Sequence, residues 1–447
     1  MIACILALIF LIVQCRRRPA AAIAFAFVLF TFVARLIAAA YVGAVGESEA
    51  EEMSGPISSP TAATAFAAAI TMSTWFMFRA FRPEKMRVVR VVPYTQGWRV
   101  FSNAFALIMG LFVLVLYVDM FQRGVIPLFA GIERGDYSAN YAGPFHGVLM
   151  DHGIFLSFWL GALLLLPVLS GHPADMRCAG LFLAILFYLF LAGHRFSAFF
   201  SFSSFFLMPF AALFVRGPRP VAGRARALLS LRRLWIGLAI VVSALVLYAL
   251  FNSFFNVRAY DQADDKLVQR VFVQPVQLWW ATWTRVSDGD WNPVVALGFQ
   301  FVAPLDPSRN TGMQYLMVLE LGVQRVADLL DVGQQYTGGY PEILFETFGP
   351  WFGWLATGLS AMVTAWVTRV ALIAYVEGRF ITVFAALYVF FGLSLLILGG
   401  MLNFFGTWTY WAKLAVLITA NIVESRMIRR SVARRGSAPS RLRPALA

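Results

Sequence analysis

The stretch GHRFS, residues 193–197, sets an imidazole beside a guanidinium, His194 and Arg195, between two long apolar runs. A histidine titrates near neutral pH, so His194 has the acidity of a general base, and it can also donate to a phosphate. An arginine fork fits carboxylates and, better, phosphates. The plain alternatives are a histidine satisfied by backbone and an arginine anchored at lipid headgroups. A second stretch, YTGGYPEILFETFGPWFGWLATG (336–358), carries Glu342 and Glu346 four residues apart. That spacing puts both carboxylates on one face of a helix. They are candidates for proton transfer or sugar-hydroxyl binding; otherwise they are favourable charge at a helix N-terminus. Further arginines, Arg134, Arg258, Arg270, Arg285, Arg309 and Arg325, are spread over two long connecting segments. Each alone reads as a solvated loop charge; as a group they are a set of cations for an anionic ligand. The Asp-x-Asp in SDGDWN (287–292) reads as a turn before Trp291. No zinc-spaced histidine pair, phosphate-cradling glycine loop or Gly-x-Ser-x-Gly elbow is present. The expected chemistry uses no metal, no cofactor and no nucleotide hydrolysis.

The elements that must hold these groups are apolar. Hydrophobic residues make up 60% of the chain and charged ones 13%. Apolar runs recur at roughly the 20-residue length that spans a bilayer as helix. They predict an all-α polytopic membrane protein with eleven spans near 1–14, 20–42, 61–78, 101–121, 147–170, 178–193, 199–215, 235–254, 348–372, 380–400 and 408–424. The alternating ten-residue segments of a barrel are absent. The first run has no basic region before it and no cleavage site after it, so it is expected to be a retained helix. The net charge of +13 lies mostly in loops after the odd-numbered runs and in the 425–447 tail. Basic loops mark the cytoplasmic side, so the amino terminus is expected outside and no nucleic-acid partner is needed. Cys4, Cys15 and Cys178 lack metal-like spacing and read as small core residues.

The chain divides into spans 1–8 (1–254), a large outside loop (255–347), spans 9–11 (348–424) and the basic tail. A loop this long usually has a function. Within it Val276, Trp279, Trp280, Trp283 and Val286 fall on one helical face, and Leu316, Leu319, Val323, Val326 and Leu330 on another. Both are expected to be amphipathic helices lying at the outer membrane–water interface. The same topology puts His194, Arg195 and the six further arginines outside, against the usual charge bias.

The sequence resembles the oligosaccharide repeat-unit polymerases, the Wzy-like O-antigen polymerase family. The likeness is architectural over most of the chain and sharper at VIPLFAGIERGDY (125–137), GHRFS (193–197) and GGYPEILFETFGPWFGWLATG. The family's fixed arginine–glycine spacing in two outside loops is not found at Arg134 or Arg325. The resemblance implies a GT-C-like fold and a metal-independent glycosyltransferase. It would work on undecaprenyl-pyrophosphate-linked glycans at the outer face of the bacterial inner membrane, among membrane lipid, with a chain-length-regulating co-polymerase as partner. Cations would hold the leaving pyrophosphate: Arg195 with Arg134 and one or more of Arg258, Arg270, Arg285 and Arg309. His194, Glu342 or Glu346 would be the base, and Trp279 and Trp283 would stack on sugar rings or anchor at the interface. An O-antigen ligase shares this architecture and leaving group. A flippase or other transporter would need charge along its spans, where Arg35, Arg369 and Lys413 are the main exceptions.

Overall fold

The computed structural model describes residues 1–45, 60–86, 88–132, 136–194, 196–215, 243, 248, 268–306, 310–331, 335–336 and 338–436. Arg134, Arg195, Arg258 and Arg309 lie outside the described residues, as does most of the expected span at 235–254. Every regular element among the described residues is helical. The first group is α1 (Ile2–Arg17), α2 (Pro19–Ala24), α3 (Ala26–Val45), α4 (Pro60–Ala80) and α5 (Gln96–Gln122). Then come α6 (Pro144–Leu169), α7 (Met176–Leu191) and α8 (Phe196–Leu207). Four short helices follow, α9 (Gln274–Ser287), α10 (Pro293–Val302), α11 (Thr311–Leu321) and α12 (Val323–Asp331). The last three are α13 (Glu342–Glu377), α14 (Phe380–Gly399) and α15 (Trp408–Gly436).

Helices thus lie at every expected span that falls within the described residues, the second being α2 and α3 joined at Phe25. Among the described residues six segments are long and apolar enough to cross a membrane: Ala26–Val45, Thr61–Ala80, Gln96–Ala130, Pro144–Leu169, Glu342–Glu377 and Phe380–Gly399. The chain is a multi-pass helical membrane protein.

Helix α13 packs against both α4 and α14. Small residues let the backbones approach: Ala62 and Ala69 of α4 and Ala361 and Ala365 of α13 are fully buried. A Cβ on Gly358 would meet the Phe76 ring at 3.0 Å. The buried hydroxyls of α13 donate back to their own helix, Thr357 to Gly353 O at 2.7 Å, Thr364 to Ser360 O and Thr368 to Thr364 O, each at 2.8 Å. A hydroxyl satisfied this way adds little cost to an apolar interior.

Two expectations about the loop helices need correction. The face Val276, Trp279, Trp280 and Val286 of α9 is buried against α3, α4 and α13, not laid on lipid. Gln277 and Thr282 elsewhere on α9 are fully buried too, and a helix covered nearly all round belongs to a core. The continuous face over 316–330 does not exist either. Gly322, at φ 80°, ends α11 and starts α12 in a new direction. Helices α9, α10 and α11 therefore pack onto α13, and α12 packs on α11.

Candidate functional site

Pro275 sits in the first turn of α9, where its missing N–H costs nothing, and the helix then carries Arg285 to its last turn. There Arg285 meets the beginning of α13. Its Nε and Nη2 donate to Glu346 Oε1 at 2.9 and 2.6 Å. Its Nη1 pairs with Glu320 of α11. One guanidinium thus holds two carboxylates from two helices. Glu346 is 2% exposed, whereas Glu320 and Arg285 keep 16% and 17% of their side-chain surface. Burial, with the negative charge of Glu346 adding to it, pushes the Tyr315 hydroxyl up to about 12.

Aromatic rings gather where α9 meets α13. Trp279 and Trp283 stack with centroids 5.6 Å apart, and Phe345 and Trp354 meet edge-on at 5.1 Å, with Phe345 bridging to Trp283 at 5.9 Å. Trp279 has no exposed surface and donates its Nε1–H to Ala62 O at 2.7 Å, so it has no free ring face. Trp283 is half-buried and keeps part of its ring at the surface. Gln277 is fully buried, and neither of its amide atoms has a hydrogen-bond partner among the described residues.

Glu342 goes to a different arginine. Arg35 of α3 pairs with it, donates from Nε to Pro275 O at 2.8 Å, and reaches Tyr340 O as well. The guanidinium also lies 4.7 Å over the Phe66 ring. Both charged side chains are buried and matched, and each has its polar atoms engaged. The two carboxylates spaced for one helix face are therefore split between α3 and α9.

His194 lies at the turn between α7 and α8, where Gly193 takes φ 71°. It is buried and stacks on His146 at 5.4 Å. His146 in turn bonds Tyr188 Oη through Nδ1 and Ser138 Oγ through Nε2, both at 3.1 Å. Arg270 sits in the helical turn Gln269–Val273 that leads into α9. Helix α3 packs against this turn, α9 and α8 alike.

The arrangement has a definite electrostatic bias. Two carboxyl groups occupy one guanidinium, an arrangement that suits sugar hydroxyls or proton abstraction better than holding an anion. Arg285 was a candidate for phosphate; its fork is filled by glutamates. Asp288 and Gly289 (φ 84°) form the expected turn, and the Asp290 N–H donates to Arg285 O at 2.9 Å. Among the described residues no cluster of His, Cys, Asp and Glu forms a metal-ligand set.

Glu320, Tyr315 and Arg35 were not read as site residues from sequence. Glu320 interrupts the apolar run of α11 and Arg35 that of α3, and an ionisable group inside such a run was the available clue. No curated protein and no solved structure matches the chain. Residues 306–411 match the model of a family of unknown function (DUF6418), a span that takes in Glu320, Glu342 and Glu346 and leaves Arg35 and Arg285 outside it.

Proposed function

We propose that this chain polymerises undecaprenyl-pyrophosphate-linked oligosaccharide repeat units into a surface polysaccharide, as a metal-independent glycosyltransferase of the bacterial inner membrane. In this reading there are eleven spans, α9 to α12 and the amino terminus face the periplasm, and the basic tail faces the cytoplasm. The observation that carries it is the carboxylate pair on Arg285, built from short helices at the start of a membrane-spanning helix, with Trp283 on the same helix as Arg285. The acceptor hydroxyl attacks the anomeric carbon of the lipid-linked chain and its proton passes to Glu320, the more accessible carboxylate. The bond from that carbon to pyrophosphate breaks, and the pyrophosphate leaves with the electron pair. Arg285 orients the base, so the leaving charge falls to Arg134, Arg195, Arg258, Arg270 and Arg309. His194, stacked on His146, is the second candidate for the base. Trp283 offers a ring face to a sugar, and a chain-length-regulating co-polymerase is the expected partner.

The test is surface-glycan length on gels, in a strain lacking the gene and complemented at matched membrane abundance. Wild type and Arg224→Ala restore long chains, while Glu320→Ala and Arg195→Ala leave single attached repeat units. Lipid-linked polymer with nothing attached in the deletion strain would instead identify a ligase. Accumulation of unpolymerised lipid-linked units with no attached glycan would identify a flippase.

A further inference from the structure

Helix α10 has an unusual surface for a helix in a loop expected to be aqueous. Between Pro293 and Val302 it contains no charged residue. Asn292 caps it, its side chain accepting from the N–H groups of Val294 and Val295 at 3.0 and 3.1 Å, so the helix start is fixed. One face is held by protein. Ala296 and Gln300 are fully buried, and Gln300 Oε1 accepts from the Leu402 N–H at 3.1 Å in the α14–α15 connection. The opposite face is bare: Val294 is 78% and Val302 76% exposed.

What covers this face follows from its neighbours. Helix α10 packs on α13, and Trp291 lies against Gly349 just before the exposed stripe of that helix. The stripe begins with Trp351, 83% exposed, and continues through Leu355 along a segment long and apolar enough to cross a membrane. On the other side Phe301 packs on Gly406, beside the exposed Trp408 that opens α15. Tryptophans concentrate at membrane–water boundaries. The bare face of α10 thus adjoins the exposed apolar stripe of α13 on one side and the exposed Trp408 on the other. Its ten residues are too few to cross a bilayer.

We propose that α10 is a membrane anchor, lying in one leaflet with Val294 and Val302 among the acyl chains. The anchor holds the helices between 268 and 331 down on the bundle, and it goes beyond the polymerase reading without depending on it.

Bimane fluorescence on the full chain in nanodiscs tests this, with Cys15 replaced by serine. Single labels go on V294C, V302C, L355C in the α13 stripe and the exposed S287C before α10. Lipids brominated on their acyl chains quench the Val294 and Val302 labels to the same fraction as the Leu355 label, and aqueous iodide does not. The Ser287 label shows the reverse. Quenching of the Val294 and Val302 labels by iodide would overturn the proposal. So would protection from both quenchers while Leu355 still responds to bromolipid, which would mean that protein, such as a second copy, covers the face. V295C, also exposed, replaces either label if one variant misfolds.

Discussion

Arg35 and Glu342, 307 residues apart in sequence, form a buried ion pair that ties α3 to the first turn of α13. The same guanidinium closes on the carbonyls of Pro275 and Tyr340. Removing one partner leaves a buried charge without its counter-ion. Arg35→Met is expected to cost about 3–5 kcal/mol. The double variant Arg35→Met with Glu342→Met should recover most of that loss. Thermal unfolding of the purified protein in detergent measures both, and equal losses in the single and double variants would contradict the pairing.

Backbone conformation makes a second prediction. Gly349 has φ 74° and ψ −178°, a region open essentially to glycine, and a Cβ there would run into the Trp291 ring. Gly349→Ala should lower stability by about 1–3 kcal/mol. Gly180 is a control in an exposed helical position with open space around it. Gly180→Ala should be neutral or stabilising by up to about 1 kcal/mol.

The roles of the two glutamates on Arg285 separate by exposure. Glu320→Gln should lower the polymerisation rate of purified protein on lipid-linked repeat units by roughly 10²–10⁴-fold, the usual worth of a general base. Its folding should change little. Glu346→Gln removes the buried member of the cluster, so activity and melting temperature should fall together. Full activity in Glu320→Gln would move the proton acceptor to His194.

Asp175 offers a pH test away from the site. Arg177 donates to its carboxylate at 2.7 Å and Ser102 at 2.9 Å. These bonds, the Arg177 guanidinium foremost, hold the Asp175 carboxyl below its ordinary range. A carboxyl lowered in the folded state stabilises fully above its unfolded value, about 3.9. The contribution disappears as acidification passes down through the folded value. Arg177 is 56% exposed, so solvent screens the pair. Asp175→Asn should cost less than about 1 kcal/mol near neutral pH, with the difference from wild type vanishing under strong acid.

The sequence made the spans legible because bilayer length and apolarity act locally, run by run. The turn at Asp288–Gly289 was legible for the same reason. The partners were not. Glu342 and Glu346 share a helix face by spacing, yet nothing nearby in sequence says that one meets Arg35 and the other Arg285. The amphipathic face of α9 was readable, but its period does not say whether lipid or protein covers it. The break at Gly322 was hidden inside an apolar pattern that stays in phase across it. Helix α10 was overlooked because an uncharged stretch of ten residues fits neither a span nor an amphipathic stripe.

The joint at Gly349 and Pro350 has a mechanical consequence. Spans tilt to match the thickness of the bilayer around them. The glutamates sit on the stub before the joint, whose direction is fixed by Arg35, Arg285 and the Trp291 ring. A change in tilt of the span beyond Pro350 is taken up at the glycine. Glu342 and Glu346 should thereby be insulated from lipid composition, and their geometry should persist in membranes thick or thin.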